Sequence, residues 1–440
     1  MHSAPESPAG QLSRSEPIGF KNSPVVYGLG TLGLSSVATV FNGYYLFYFV
    51  DRLGLAVTLA SIVSVVYAIW DAVNDPLVGY LSDNTRTRWG RRRPWLLAGL
   101  PFYVLFMVLV FSVPGFMQQG NALFWYALVI TFLYEAASTV MHTNYEALFP
   151  ELFRTFKERT RASAYNHGLG MIGELAGFSL APILYTQFGF GGMVLFFAIS
   201  SGVLLSVSIA RNTEDPDAQM LPLLNLKSAF REALRDRPFW QFTLVATFGW
   251  FTTGVYTLAI PFYSKYTLGA GPQAPSLIFG TAFVVAILLV STWAKRVREW
   301  GIKRTYLWAI AVMAGSAVVL GLAPNMTGAI VGAAIAGVGL AGVKVCREMI
   351  LATLVDRSRK RSGQRSEGVY YSLNRFIGRL SRILEALALV TLGLLFGYVS
   401  GENPGPRPDD AFRFLISVFP FVCLVIAWLL ARKLDLESDR

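Results

Sequence analysis

The chain has 440 residues, of which 54% are hydrophobic and 15% charged, and its formal net charge is +11 at pH 7. A soluble protein carries about 25% charged residues, and a single soluble core rarely grows beyond about 250–300 residues. This composition excludes an ordinary soluble domain and predicts a membrane protein. The basic residues lie between apolar runs rather than in a stripe interleaved with aromatic residues, so we expect no nucleic-acid partner.

The N-terminal segment, residues 1–23, contains proline, serine and charges of both signs without an apolar core. This pattern predicts a disordered tail rather than a cleaved signal peptide. The two cysteines, Cys346 and Cys423, lie in apolar segments and form no disulfide or metal-binding pattern. No Walker A sequence, His-Glu-x-x-His helix or Gly-x-Ser-x-Gly elbow appears. We therefore expect neither an enzyme nor a bound cofactor.

Apolar runs of about twenty residues or more recur along the whole chain, and each is long enough to span a bilayer. They lie near 25–50, 57–81, 94–114, 121–149, 162–183, 189–210, 241–264, 275–294, 304–323, 327–353, 369–399 and 411–431. The pattern predicts an all-α membrane protein of about 12 transmembrane helices, arranged as two six-helix bundles at 24–210 and 241–431. A cytoplasmic central loop at 211–240 joins them, and a C-terminal tail follows at 432–440.

The connections between these runs alternate in basic content. The even-numbered connections contain clusters of Lys and Arg, near residues 86–93, 154–161, 231–237, 295–304 and 357–365. The connections at 114–120 and 185–192 contain none. The positive-inside rule therefore places both termini in the cytoplasm. We expect an integral, multi-pass protein of the plasma (inner) membrane, functioning as a monomer.

The second apolar run contains Asp71, Asn74 and Asp75, which are three or four residues apart and are expected to share a helix face. Each Asp near a bilayer centre costs about 2.5–3.5 kcal/mol on insertion scales, so such residues are usually functional. Their oxygen atoms suit a hard cation. The alternative is a structural network that clamps two helices.

Glycines occur three times in the pattern GxGxxG, at Gly28/Gly30/Gly33, Gly168/Gly170/Gly173 and Gly337/Gly339/Gly342. A dinucleotide site requires a preceding strand and a soluble βαβ unit, which the sequence does not contain. These glycines, like the Gly173-x-x-x-Gly177 pair, are instead predicted to let membrane helices approach closely.

Four segments resemble the glycoside–pentoside–hexuronide:cation symporters of the major facilitator superfamily, the melibiose permease-like group. They are residues 70–76 (WDAVNDP), 88–95 (RWGRRRPW), 145–152 (YEALFPEL) and 158–165 (ERTRASAY). The resemblance spans essentially the whole chain and is strongest over its first half. The sequence is also similar to the sodium-dependent lysophosphatidylcholine symporters. Both resemblances imply the major facilitator fold and cation-coupled transport by alternating access.

The resemblance implies a Na⁺ site at Asp71, Asn74, Asp75 and Thr139, in which Asp71 and Asp75 supply the charge. Thr139 on the fourth helix would add a hydroxyl oxygen. The family's basic coupling residue on the eleventh helix is usually Lys, and the aligned residue here is Arg379, which stays charged where Lys can lose its proton. The coupling ion is expected to be Na⁺, with H⁺ or Li⁺ as alternatives.

The family's sugar-recognition positions differ in this chain, where they are occupied by Ser35, His142, Glu146 and His167. We therefore expect the cargo site to differ from the sugar site of the family. This difference argues against a galactoside as the cargo but not against another glycoside. Lys344 and Arg347 on the tenth helix are further candidates for substrate binding, or they are neutralised by Glu348. Glu135 and Glu174 are additional acids within the membrane spans.

The sequence thus predicts a cation-coupled symporter for a small organic solute such as a sugar or glycoside. A lysolipid or organic-anion transporter is the alternative; a membrane-embedded lipid-modifying enzyme that uses His142 and Glu146, or a sensor derived from a transporter, is more distant. The arginine-rich second connection is expected to form a cytoplasmic gate, consisting of Asp83, Arg88, Arg91 and Arg92.

Overall fold

Long apolar helices make up nearly all of the structure, a computed structural model that describes residues 22–153, 156–212, 234–362, 367–399 and 404–434. Outside the helices, the one isolated β-bridge found in these ranges joins Thr87 and Gly90. Residues 1–21 of the predicted tail at 1–23 and residues 213–233 of the predicted central loop lie outside the described residues. The all-α class predicted from the apolar runs is confirmed.

The N-terminal half contains six helices, α1 to α6. Its bounds are α1 Pro24–Leu46, continued by a π-helical turn at Phe47–Arg52, then α2 Val57–Asp83, α3 Arg93–Val110, α4 Gly120–Leu152, and Phe156–Arg211. The last of these is interrupted at Gly189, whose φ of 70° is not helical. We therefore treat it as α5 (156–188) and α6 (190–211).

The C-terminal half contains α7 to α12. Its bounds are α7 Arg237–Phe262, continued by a π-helical turn at Tyr263–Thr267, then α8 Ala274–Trp300, α9 Ile302–Leu322, α10 Met326–Ser362, α11 as two helices, Glu367–Arg379 and Ser381–Phe396, and α12 Pro408–Arg432. The two parts of α11 meet at Leu380, a break that the continuous apolar run at 369–399 did not predict.

By length and hydropathy, ten stretches of the described chain are able to cross a membrane. One of them, Arg161–Arg211, has 51 residues and would extend roughly 75 Å as a straight helix, more than twice the thickness of a hydrocarbon core. With its break at Gly189 it accounts for two spans, and the two-part α11 accounts for one more. These additions give the predicted total of about twelve.

Local sequence sets several helix ends. The Ser23 side chain accepts a hydrogen bond from the Val26 amide at the start of α1, where Pro24 occupies the first turn. Asp236 caps α7 in the same way through the Phe239 amide. This cap places the start of α7 at Arg237, inside the loop that the sequence predicted to extend to residue 240.

Glycine contacts hold helices of the N-terminal half close together. A Cβ atom at Gly173 on α5 would lie 2.5 Å from the Leu32 carbonyl oxygen of α1, and one at Gly177 would lie 2.7 Å from the Ser36 carbonyl oxygen. Only glycine permits this approach of α5 to α1. At these positions the packing interpretation of the glycine pattern agrees with the structure.

Hydrogen bonds join the two halves beyond the ends of α1 and α7 and near the end of α5. The Lys265 ammonium donates to both carboxylate oxygens of Asp51, at 2.9 and 2.8 Å, and the Tyr185 hydroxyl donates to the Pro272 carbonyl at 2.9 Å. These contacts lie at the side of the molecule opposite the arginine-rich connections. The two halves are therefore in contact at that side, which the loop charges assign to the outside.

Candidate functional site

A cavity of about 1140 Å³ lies between the two halves and is called the central cavity below. It exceeds the usual 300–1,000 Å³ of small-molecule pockets. Its lining extends to Tyr27, Phe149 and Ser163, close to the helix ends on the arginine-rich side. All six residues predicted to bind substrate also line it: Ser35, His142, Glu146, His167, Lys344 and Arg347.

Charged side chains pair across this cavity. The Lys344 ammonium on α10 lies 2.6 Å from the Glu174 carboxylate on α5. Glu146 on α4 is ion-paired with Arg375 on α11 rather than with His142. Lys344 is thus neutralised mainly by a residue of the opposite half, and both pairs connect the N-terminal half to the C-terminal half.

Arg347 contributes to the cavity differently. Its guanidinium lies 4.8 Å from the centre of the Trp250 ring, a distance at which cation–π attraction is significant. The nearest Glu348 oxygen is 3.8 Å away, at the limit of an ion pair. Of the two α10 bases that line the cavity, Lys344 and Arg347, Arg347 is therefore the less fully paired with a carboxylate.

A second, smaller pocket of about 170 Å³ adjoins the central cavity and is called the carboxylate pocket. It is lined by four acids, Asp71 and Asp75 of α2 and Glu135 and Glu146 of α4, and by the hydroxyl-bearing Thr139 and Thr143. Asp71 and Glu135 are 2% and 4% exposed. The walls of this pocket are therefore rich in oxygen atoms and shielded from solvent.

Arg379 occupies the point where oxygen atoms of α2 converge. Its Nη1 atom is 2.5 Å from an Asp75 carboxylate oxygen, 3.1 Å from one of Asp71 and 3.0 Å from the Asp71 backbone carbonyl oxygen. The guanidinium thus holds the position that a cation bound to these three oxygens would take. A coupling cation must compete with it.

Arg382 provides a second positive charge on the same acid. Its Nη1 atom is 2.8 Å from the other Asp71 carboxylate oxygen, and its guanidinium lies 5.1 Å from the centre of the Tyr67 ring. Since Asp71 is on α2 and both arginines are on α11, these ion pairs join the two halves. Removing one partner of such a buried pair typically costs about 3–5 kcal/mol.

Asn74 and Thr139 of the predicted Na⁺ site differ in their positions. Asn74 is 3% exposed but lines neither cavity, and its Nδ2 atom has no hydrogen-bond partner among the described residues. Successive helical residues are about 100° apart, so Asn74 and Asp75 diverge to opposite sides of Asp71. The Thr139 hydroxyl lines the carboxylate pocket but donates to Glu135 at 3.2 Å.

The carboxylate pocket has the ligand chemistry of a site for a hard monovalent or divalent cation, because its walls offer carboxylate, hydroxyl and carbonyl oxygens. Across the described chain, no three His, Cys, Asp or Glu side chains form a group that would hold a metal ion by themselves. A cation here would therefore also need hydroxyl, carbonyl or water oxygens, and the displacement of a guanidinium.

The residues predicted to form the gate lie in the N-terminal half. Arg91 is 2.5 Å from the Glu151 carboxylate at the end of α4, and Arg92, 6% exposed, donates to the Ser82 hydroxyl at 2.6 Å. Arg88 is exposed and lies against the Trp89 ring. The side chain of Asp83 falls outside the described part of the chain. Arg91 and Arg92 thus fasten the second connection to α2 and α4.

Sequence reasoning missed three members of the site on α11. Arg375 and Arg382, with Arg379 between them, follow the i, i+4, i+7 spacing of one helix face, a signal that was available in the sequence. Glu385 lines the central cavity one turn beyond Arg382. Glu135 was recognised only as an acid within the membrane, because its proximity to Asp71 depends on the packing of α4 against α2.

Comparison with known proteins gives a consistent picture. The sequence profile of the MFS/sugar transport protein family matches residues 26–438. The isoprimeverose transporter of Lactiplantibacillus pentosus is 25% identical over 90% of this chain and 85% of its own length. The sodium-dependent lysophosphatidylcholine symporter 1-B of Danio rerio is 31% identical over 38% of this chain and 33% of its own length.

The fold also matches solved structures. A bacterial homologue of the human drug peptide transporters PepT1 and PepT2 superimposes with a TM-score of 0.68, covering 95% of this chain and all of that one. At 13% sequence identity this likeness concerns the fold alone.

Proposed function

Because this chain belongs to the MFS/sugar transport protein family, we propose that it is a cation-coupled symporter that carries a sugar or glycoside across the inner membrane. One observation supports this most strongly. The buried Asp71 and the half-buried Asp75 of one half are ion-paired with Arg379 of the other, next to a cavity large enough for an organic solute. A cation that binds these acids must therefore alter a contact between the halves.

The proposed coupling follows from this competition. A Na⁺ ion entering the carboxylate pocket takes the oxygens of Asp71 and Asp75, and Arg379 is displaced from between them. The ion pairs that join α2 to α11 are then rearranged, which changes the relative stability of the inward- and outward-facing states. The cargo, bound between the halves in the central cavity, acts on the same equilibrium. Cation and cargo are thereby coupled reciprocally.

The cargo is proposed to contact the polar residues of both halves. His142 lines the central cavity and the carboxylate pocket alike, so it lies between cargo and cation. Glu146 and Arg375 pair across the cavity and would have to exchange partners when a polyhydroxyl solute binds. Such exchange suits a sugar, because its hydroxyl groups both donate and accept hydrogen bonds.

A lysolipid or organic anion is the second candidate cargo. The cavity contains an aromatic cluster in which the Phe178 and Phe279 rings stack at 4.3 Å, with Phe283 5.2 Å from Phe178. Lys344 lies 5.7 Å from the Phe283 ring. An acyl chain against these rings and an anionic group at Lys344 would use both features, and the relative in Danio rerio is named for a lysophospholipid.

Uptake into proteoliposomes tests the proposal and separates the alternatives. Labelled glycosides, organic anions and lysophospholipids are offered with an inward Na⁺ gradient, with equal Na⁺ on both sides, or with choline. The proposal predicts gradient-driven accumulation of a glycoside by the wild type and none by Asp75→Asn. Accumulation of a lysophospholipid alone favours the second candidate, whereas chemical conversion of the lipid would indicate an enzyme. Binding without accumulation would indicate a sensor.

A further inference from the structure

Arg382 and Glu385 form a pair of charges on α11 that the proposed coupling leaves unused. Asp71 carries two guanidinium partners in this structure, Arg379 and Arg382. Arg379 also pairs with Asp75, at 2.5 Å, so it has two carboxylate partners. Arg382 has no ion-pair partner other than Asp71 among the described residues. If a cation takes Asp71, Arg382 must find another acceptor inside the protein.

Glu385 is placed to be that acceptor. It follows Arg382 by three residues on the same helix, a spacing at which side chains are neighbours, with about 5–6 Å between Cβ atoms. Both residues line the central cavity. The Glu385 carboxylate accepts a hydrogen bond from the Ser381 hydroxyl at 3.3 Å. In the described ranges no Lys or Arg lies within ion-pair distance of it, so one position for a guanidinium is free.

The surroundings of Glu385 hold its carboxylate toward the cavity. It lies against Gly254 of α7, where a Cβ atom would collide with the carboxylate. The glycine therefore creates the space that this carboxylate fills. The other lining residues nearby are the hydroxyl-bearing Tyr45 of α1 and Ser64 and Tyr67 of α2, none of which carries a permanent charge.

We propose that Glu385 is a positioning residue for cation coupling, which receives the Arg382 guanidinium when the coupling cation displaces it from Asp71. The Tyr67 ring lies 5.1 Å from that guanidinium and lines the central cavity together with Arg382 and Glu385. The swing breaks a contact between α2 and α11 and replaces it with one inside α11. Cation binding thus breaks this contact between the halves without leaving Arg382 unpaired in the membrane.

The inference rests on the proposed cation coupling and is tested on sodium binding rather than on transport. Purified full-length protein is titrated with NaCl at constant ionic strength, balanced with choline chloride, and the half-saturating Na⁺ concentration is taken from the rise in melting temperature. Glu385→Gln should raise that concentration roughly ten- to a hundredfold, because the arginine loses a charge-assisted hydrogen bond in the displaced position. Glu385→Asp should remain close to the wild type.

Epistasis distinguishes positioning from a structural role. Arg382→Gln removes the competitor and should lower the half-saturating concentration. The double variant Arg382→Gln/Glu385→Gln should behave like Arg382→Gln, since no arginine then needs an acceptor. Glu299→Gln is the matched control and should leave the concentration unchanged, because Glu299 pairs with Lys295 and Arg296 within α8 and lines neither cavity.

Three outcomes would contradict the inference. An unchanged sodium response in Glu385→Gln, or a double variant that keeps the raised concentration, overturns the role of Glu385 while leaving the proposed symport intact. A wild type that does not respond to sodium at all overturns the sodium coupling and the inference together.

Discussion

Replacing Asp75 with Asn changes one charge in the carboxylate pocket with little change in shape. Asp75 holds the Arg379 guanidinium at 2.5 Å and accepts a hydrogen bond from the Thr143 hydroxyl at 3.3 Å. In Asp75→Asn the cation loses a carboxylate, and Arg379 is left with Asp71 as its carboxylate partner. Both effects act against cation binding, so we expect Asp75→Asn to abolish sodium-induced stabilisation.

The magnitude follows from Coulomb's law. Two unit charges about 4 Å apart interact by about 4 kcal/mol at an effective dielectric constant of 20, which corresponds to roughly a thousandfold in affinity. At a Na⁺ concentration of 100 Kd the wild type is stabilised by about 2.7 kcal/mol. The variant, at about a tenth of its own Kd, would gain less than about 0.1 kcal/mol at the same concentration.

The assay is the melting temperature of detergent-solubilised protein in NaCl, LiCl and choline chloride at equal ionic strength. Sodium or lithium should raise the melting temperature of the wild type but not that of Asp75→Asn. Glu299→Gln is the control and should keep the wild-type response, because Glu299 pairs with Lys295 and Arg296 within α8 and lines neither cavity. Equal sodium responses in wild type and Asp75→Asn would refute the assignment of the cation site, and a response to pH without one to sodium would indicate proton coupling.

Three further outcomes are expected. Glu146→Gln should weaken cargo binding at fixed sodium, since Glu146 lines the central cavity. Unchanged cargo affinity would indicate that the cargo binds elsewhere in the cavity, near Lys344 and Arg347. Gly177→Ala should lower the free energy of unfolding by about 1–3 kcal/mol through overpacking, because the new Cβ atom would lie 2.7 Å from a backbone oxygen of α1. Gly168→Ala is the control and should not destabilise the protein, because no atom lies within 4 Å of its Cβ position. Equal melting temperatures of the two variants would contradict the packing argument. Asp83→Ala should slow transport more than it weakens sodium binding, as expected for a gate residue. Normal transport by this variant would indicate that the second connection sets the membrane topology but does not act as a gate.

Much of the fold could be predicted because the bilayer imposes a strong local rule. A run of about twenty apolar residues is sufficient to indicate a span, and the close approaches at Gly173 and Gly177 follow from small residues at regular spacing. The interruption at Leu380 was missed, because hydropathy does not distinguish one continuous helix from two short ones. The cap at Asp236 was readable but overlooked, so α7 begins earlier than predicted.

Only the acids of α2 in this site could be predicted from their local sequence. Asp71 and Asp75 stand out because carboxylates are costly in a membrane span. Their partners are 308 and 311 residues away from Asp71 along the chain, at Arg379 and Arg382. Local periodicity cannot predict a pair between residues so far apart, and Arg379 was identified through family resemblance alone. The contact between Arg382 and Asp71 results from the packing of α11 against α2, which the sequence pattern does not predict.

The proposed coupling is tested most directly by accumulation against a gradient. Proteoliposomes are loaded with a transported glycoside at the external concentration and then given an inward Na⁺ gradient. We predict that wild-type protein raises the internal glycoside above the external level and that a sodium ionophore abolishes this excess. Internal glycoside that stays equal to the external concentration, with or without the gradient, would contradict cation-coupled symport.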